Sequence, residues 1–236
     1  VTDVTSHLFE GLAAGNFTIA VSDSASVPCI DNATTTIVPA VPITADITAT
    51  PTTLVCYGDT NAMVSALNVL GGEGIYQYQL NIYDPTGTTI AFTTGSQTSP
   101  DFANLGSGIY SITVSDGWNC GLETIQVTIS EPTDVMASLI QLNPLTCTTS
   151  AQIALNASGG TGPYEYSTDG SVFVAMSGGN MHTFSVTSGV YQYYVRDSFG
   201  CEAMISNQVS IDPISPLTIA IDDSAAFINC TGEASA

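Results

Sequence analysis

The eight residues "GIYSITVS" (Gly108 to Ser115) alternate apolar and polar positions. Tyr110, Ile112 and Val114 fall on one face of an extended chain, and Ser111, Thr113 and Ser115 on the other. A period of two over this length predicts a half-buried β-strand. The residues "GWN" after Asp116 predict a turn that ends at Cys120. The pattern stands at two other places: "LAAGNFTIAVSDSASVPC" (12–29) and "VTSGVYQYYVRDSFGC" (186–201) align with "LGSGIYSITVSDGWNC" (105–120). Phe17, Ile19 and Val21, and Tyr191, Tyr193 and Val195, occupy the apolar positions. Tyr110 and Tyr191 are either plain core aromatics or tyrosine corners, whose hydroxyls turn back to the backbone. Phe17 lacks that hydroxyl.

A second pattern recurs upstream. "ALNVLGGEGIYQYQL" (66–80) matches "ALNASGGTGPYEYST" (154–168), each predicting a strand, a Gly-Gly turn and a strand with alternating Tyr. The segments "GGEG" and "GGTG" are read as hairpin turns; no helix follows them, so they are not phosphate-binding loops. A third landmark is a strand that ends at Pro, in "VTISEPTDVMAS" (127–138), "VSIDPISPLTIA" (209–220) and "TIVPAVPITADI" (36–47). The cysteines that close the first pattern are 91 and 81 residues apart, the size of a whole β-sandwich domain rather than a solenoid turn. The reading is all-β: tandem Ig-like β-sandwich domains in an extended array. Its parts are the C-terminal part of one repeat (1–42), complete repeats at 43–133 and 134–215, and the N-terminal part of another (216–236). About seven short strands are expected in each complete repeat.

Composition narrows the function. Hydrophobic residues make up 44% of the 236, enough for a core. Arg196 is the one Lys or Arg against 21 Asp and Glu, a formal charge of −20. Nucleic acid is therefore excluded as a partner, since phosphate binding needs cations, and so is docking on anionic lipid. Ion pairs cannot supply the stability. No run of 18 apolar residues crosses a membrane as a helix. The opening "VTDVTSHLFEGLAAGNF" has no signal-peptide pattern, so the chain reads as an internal piece or a processed product.

The repeat sorts the six cysteines into two classes. Cys29, Cys120 and Cys201 follow the late strand, and Cys56, Cys147 and Cys230 precede the early one. The expected bridges are Cys56–Cys120 and Cys147–Cys201, each stapling one pole of its own sandwich and worth roughly 4 kcal/mol. Cys29 and Cys230 would have partners outside this segment. Disulfides imply an oxidising, extracellular setting. No CxxC or Cys/His cluster points to zinc.

A catalytic constellation is not legible. His7 and His182 lie in Ser-, Thr- and Gly-rich surroundings and read as solvated loop residues. Asp222 and Asp223 form a carboxylate pair of the kind that usually faces solvent. No GxSxG or HExxH occurs. Calcium is a further candidate, because Asp46, Asp134 and Asp212 stand near the Pro exits; no EF-hand loop accompanies them and no site is assigned. Trp118 reads as packing against a disulfide at Cys120. No cofactor is expected, and no enzyme activity.

The series "GG-x-G-x-Y-x-Y" (Gly71 to Tyr78), "L-x-x-G-x-Y-x-x-x-V-x-D-x-x-x-C" (Leu105 to Cys120) and "V-x-I-x-E-P" (Val127 to Pro132) resembles the SprB-type repeat of large surface adhesins of gliding Bacteroidota. The likeness extends over the whole chain, although the exit "SIDP" (Ser210 to Pro213) and the one before Pro39 depart from it. The resemblance implies export by type IX secretion and a place on the cell surface, attached to the outer membrane through other parts of the parent protein. It also implies a stalk of Ig-like repeats serving adhesion and gliding, with neighbouring repeats and a surface polysaccharide or substratum as partners. The tripeptides at Asp23-Ser24-Ala25 and Asp223-Ser224-Ala225 look like the O-glycosylation acceptor of that bacterial group, which makes Ser24 and Ser224 candidate glycan sites. The alternative reading is a carbohydrate-binding module array of a secreted protein.

Overall fold

The computed structural model describes residues 7–118, 120–203, 205–216, 218–220, 227–228 and 234–235, and its regular elements there are all β-strands. The chain divides into two compact units, Val1–Leu54 with Gly58–Glu131, and Val55–Tyr57 with Pro132–Ala236. Three residues of the first sequence block, Val55–Tyr57, thus cluster with the second unit.

The first unit begins with a hairpin, β1 (Gly15–Ser22) and β2 (Ile30–Ile37), paired from Gly15↔Ile37 to Ser22↔Ile30. Its alternation is that of "GIYSITVS", yet Ile19 and Val21 stay exposed, because a two-stranded ribbon has no second layer on which to bury a face. The strands that follow are β3 (Thr44–Thr50), β4 (Ala62–Leu70), β5 (Gln77–Tyr83), β6 (Ile90–Thr93), β7 (Asp101–Leu105), β8 (Gly108–Ser115), β9 (Gly121–Glu123) and β10 (Val127–Ile129). They form two antiparallel sheets, β3-β4-β7 and β10-β8-β5-β6, with β9 also on β8. Val64 and Ala66 of one sheet and Leu80, Ile112 and Val114 of the other are buried in one cluster, so the core lies between the sheets. A three-stranded sheet against a five-stranded one in this order makes an Ig-like sandwich.

The gap between β9 and β10 has a chemical cause. The Thr124 hydroxyl accepts the Ile112 N–H at 2.9 Å, while the Thr124 N–H donates to the Ile112 carbonyl at 3.0 Å. A side-chain oxygen stands where a strand carbonyl would otherwise be, and the last strand breaks in two. The outer face of β8 is less wet than period-two patterning suggests. Ser111 is fully buried beneath Asn81 and Tyr83 and donates to Glu123 at 2.8 Å.

The second unit holds β11 (Met136–Asn143), β12 (Ala151–Ser158), β13 (Glu165–Ser167), β14 (Val174–Ala175), β15 (Met181–Val186), β16 (Gly189–Tyr191), β17 (Tyr194–Arg196) and β18 (Val209–Ile211). The sheets are β11-β12-β15, β14-β13-β17 and β16-β18. Here β16 and β17 together correspond to β8. The interruption falls at Tyr193, whose N–H donates to the Ser206 hydroxyl at 3.0 Å, as Ile112 does to Thr124. Ile153, Leu155, Val195 and Ile211 fill the core. A last short hairpin pairs Phe227–Ile228 with Ala234–Ser235.

Both tyrosine corners form. The Tyr110 hydroxyl donates to the Gly106 carbonyl at 3.0 Å, and that of Tyr191 to Thr187 at 3.1 Å. The Gly-Gly turns, in contrast, are not hairpins. The strands on either side of each, β4 and β5 or β12 and β13, belong to different sheets and do not pair. Each turn carries the chain across the sandwich.

Since Ile112 is fully buried at the centre of the first core, Ile112→Ala is expected to cost about 2–5 kcal/mol through lost contacts and a residual cavity. Urea unfolding would read this as a lower midpoint with an unchanged slope. A loss under 1 kcal/mol would contradict the packing described.

Candidate functional site

The residues shared by the two repeats converge at one pole of each sandwich. Asp116 and Asp197, the acids that follow β8 and β17, are both buried. Asp116 accepts with Oδ1 the N–H groups of Trp118 (3.0 Å) and Cys120 (2.8 Å), and with Oδ2 that of Glu73 in the Gly-Gly turn (3.2 Å). Asp197 repeats this on Phe199 (2.9 Å), Cys201 (2.9 Å) and Thr161 (2.9 Å). One carboxylate therefore fixes the cysteine turn to the turn that crosses between the sheets, and its three backbone donors replace the water that burial removes.

The glycines of "GG-x-G" serve this clamp. The second of each pair is left-handed, with φ of 58° at Gly72 and 55° at Gly160. A Cβ there would stand 2.7 or 2.6 Å from the Asp Oδ2. The N–H of Gly72 donates to the Val41 carbonyl at 2.8 Å, and that of Gly160 to Thr133 at 2.7 Å, which holds the entry of β3 and β11. The tyrosine five residues beyond the first glycine closes the turn: Tyr76 donates to the Gly71 carbonyl at 2.6 Å and Tyr164 to Gly159 at 2.5 Å. A third copy of the clamp, without a Gly-Gly turn, stands in the β1–β2 hairpin. There Asp23 Oδ1 accepts the N–H groups of Ala25 and Cys29, each at 3.2 Å.

The cysteines pair differently from the sequence expectation. Cys56 is bonded to Cys201, 145 residues away, while among the described residues Cys29, Cys120 and Cys147 are free and exposed. Neither Cys56–Cys120 nor Cys147–Cys201 forms, and the register gives the reason. Ala62, at the start of β4, pairs with Leu105, just before β8 begins, so the β3–β4 loop that carries Cys56 lies at the pole where β8 starts. Cys120 follows the far end of β8, beyond Ser115. An eight-residue strand separates them by roughly 20–25 Å, whereas a disulfide needs Cα atoms within about 7 Å. The same holds for Cys147 and Cys201. Across the bond that does form, the Cα atoms are 5.5 Å apart. Leu54 is buried in the first core, while Cys56 packs against the second. Cys230 lies outside the described residues.

The acid of the "V-x-I-x-E-P" exit holds the Cys56 loop. Glu131 accepts the Gly58 N–H with Oε2 at 2.7 Å and the Ser107 hydroxyl with Oε1 at 2.7 Å. These bonds, that from Gly58 first, keep its carboxyl below the usual glutamate range. A depressed folded value means the contribution is complete above the ordinary glutamate pKa and is lost as pH falls through the folded one. The amide resonance of Gly58 should titrate with a midpoint below that of an exposed glutamate, and E131Q should abolish the step. A midpoint at the ordinary value or above it would contradict this contact.

The remaining candidates are dispersed. Ser24 lies in the exposed turn closed by Asp23; Ser224, Asp222 and Asp223 lie outside the described residues. Asp46 accepts from the Asn68 amide at 2.8 Å. Among the described residues no three His, Cys, Asp or Glu side chains converge around Asp46, Asp134, Asp212 or any other point as a metal site would require. His182 is in β15 rather than a loop; its ring lies 4.6 Å from that of Tyr166, and its Nδ1 faces the Ser177 N–H at 3.2 Å. Trp118 is 69% exposed and Cys120 forms no bridge for it to cover. Arg196 binds Glu165 at 2.6 Å and lies over the Phe173 ring. Sequence reasoning saw Asp116 and Glu131 as motif letters only; the spacing D-x-x-x-C across turn residues was the available sign of a side-chain-capped turn.

Residues 140–168, from β11 to β13, match the family model described as SprB repeat. No curated protein matches the chain. Among solved structures, the chain is similar to the three N-terminal domains of the bacteriophage RB49 Highly Immunogenic Outer Capsid protein (Hoc). The identity is 16%, over 72% of this chain and 59% of that chain, with a TM-score of 0.35. It is also similar to extracellular domains 3–5 of Drosophila OTK, at 13% identity over 84% of this chain and 71% of that one, with a TM-score of 0.33. The chain thus spans 59% of the solved three-domain chain of the phage protein.

Proposed function

We propose that this chain, a SprB-type repeat over residues 140–168, is a non-catalytic segment of a cell-surface adhesin, its Ig-like repeats forming a stalk that carries a binding tip away from the cell. The observation that carries this reading is the recurrence of one architecture in both units. The Gly-Gly crossing, the buried Asp and the capped cysteine turn of the SprB-matched unit recur, bond for bond, in the first. Their polar atoms are occupied in holding loops together, which suits a spacer. The finer reading follows from the family: export by type IX secretion in a gliding bacterium, a part in gliding, and an O-linked glycan on Ser24.

The test uses intact source cells labelled with fluorescent Fab fragments against residues 43–215. Surface label that travels along the cell supports the adhesin and its gliding role. Fixed surface label retains the stalk and removes gliding. Label seen only after permeabilisation overturns the surface assignment.

A further inference from the structure

We propose that Cys120 and Cys147 are halves of disulfides that run from repeat to repeat. In each, the cysteine of the loop between the first two strands of one repeat bonds to the Asp-capped cysteine of the repeat that follows it. The bond Cys56–Cys201 is one such link, joining the β3–β4 loop of the first sequence repeat to the capped turn of the second. Cys120 is the counterpart of Cys201: each donates its N–H to Oδ1 of a buried Asp four residues earlier, and each accepts with its carbonyl the N–H of that Asp at 3.0 Å. The turn is therefore built in the same form whether its sulfur is bonded or free. Cys147 is the counterpart of Cys56. Both lie in the loop between the first two strands of a repeat, two residues after a leucine, Leu145 or Leu54, that packs into the core of its own repeat.

Position excludes the alternatives within a repeat, since the two classes of cysteine stand at opposite poles. The partner of Cys147 is thus the capped cysteine of a following repeat, and that of Cys120 is the loop cysteine of a preceding one. Cys29, capped by Asp23, belongs to the Cys120 class. Each link forms by thiol–disulfide exchange with a disulfide-bearing oxidant. One thiolate attacks a sulfur of the oxidant and gives a mixed disulfide, and the second thiolate then displaces the oxidant's remaining sulfur. The two cysteine thiols give up two protons and two electrons, and the oxidant's disulfide leaves as two thiols. Covalent continuity of this kind is independent of what the array adheres to.

The test is the full chain with residues 43–215 written twice in series, carrying C120S in the first copy and C147S in the second. After oxidation, alkylation and non-reducing peptide mapping of the monomer, Cys147 of the first copy should be bonded to Cys120 of the second. This is a loss of two alkylatable thiols, with Cys56–Cys201 present in both copies. If both thiols are alkylated while Cys56–Cys201 forms, the rule of succession is wrong. If the link occurs only between molecules, or if Cys56–Cys201 does not form, the inference is likewise overturned.

Discussion

Asp197→Ala is expected to destabilise the second unit by about 3–5 kcal/mol, the largest effect of any single substitution outside the core. The carboxylate is buried and is the acceptor for the N–H groups of Phe199, Cys201 and Thr161. Alanine leaves all three donors without their acceptor, and hydrogen bonds to a charged acceptor are worth more than neutral ones. Asp197→Asn should cost less, because its carbonyl oxygen still accepts from the cysteine turn. Its amide, however, turns an N–H toward that of Thr161. Denaturant midpoints for the two variants should therefore rank Ala below Asn below wild type. Equal midpoints for all three would show that the clamp does not hold the pole together.

Cys56→Ser is expected to lower stability by about 2–4 kcal/mol under oxidising conditions, since the link closes a loop across 145 residues. The substitution also releases Val55–Tyr57 from the unit with which they cluster. The discriminating comparison is with reductant. Reduced wild type and C56S should unfold at nearly the same denaturant concentration, while oxidised wild type is displaced upward. A wild-type transition indifferent to reductant would contradict the bond, and C120S should leave the oxidised midpoint unchanged.

The elements that alternation marks, β8 and the β16–β17 pair, were legible because one face of each is in a core, and period two reports that directly. The tyrosine corners were legible only as one of two readings: Gly-x-Tyr at the start of a strand lets the hydroxyl reach the preceding turn, but a plain core aromatic leaves the same pattern. The Gly-Gly turns show the limit. Two strands joined by a short glycine turn read as a hairpin, but the sequence does not say whether they share a sheet. The left-handed glycines here admit an Asp carboxylate between the sheets instead. The cysteine classes were likewise legible from the repeat, whereas their pairing was not. Pairing depends on the pole each class occupies, and the pole follows from strand register: Ala62 against Leu105 puts Cys56 far from Cys120. Spacing along the chain contains none of that. The break between β9 and β10 was hidden for the same reason, because a threonine hydroxyl in the role of a strand carbonyl leaves no mark on the hydrophobic pattern.

The most direct measurement is the disulfide map of the oxidised 236-residue chain, obtained by alkylating free thiols before digestion without reductant. One linked pair is expected, the peptide of Cys56 with that of Cys201, together with alkylated Cys29, Cys120 and Cys147. Linked peptides Cys56–Cys120 and Cys147–Cys201 would contradict it, placing both cysteines of each repeat at one pole and removing the basis for links between repeats.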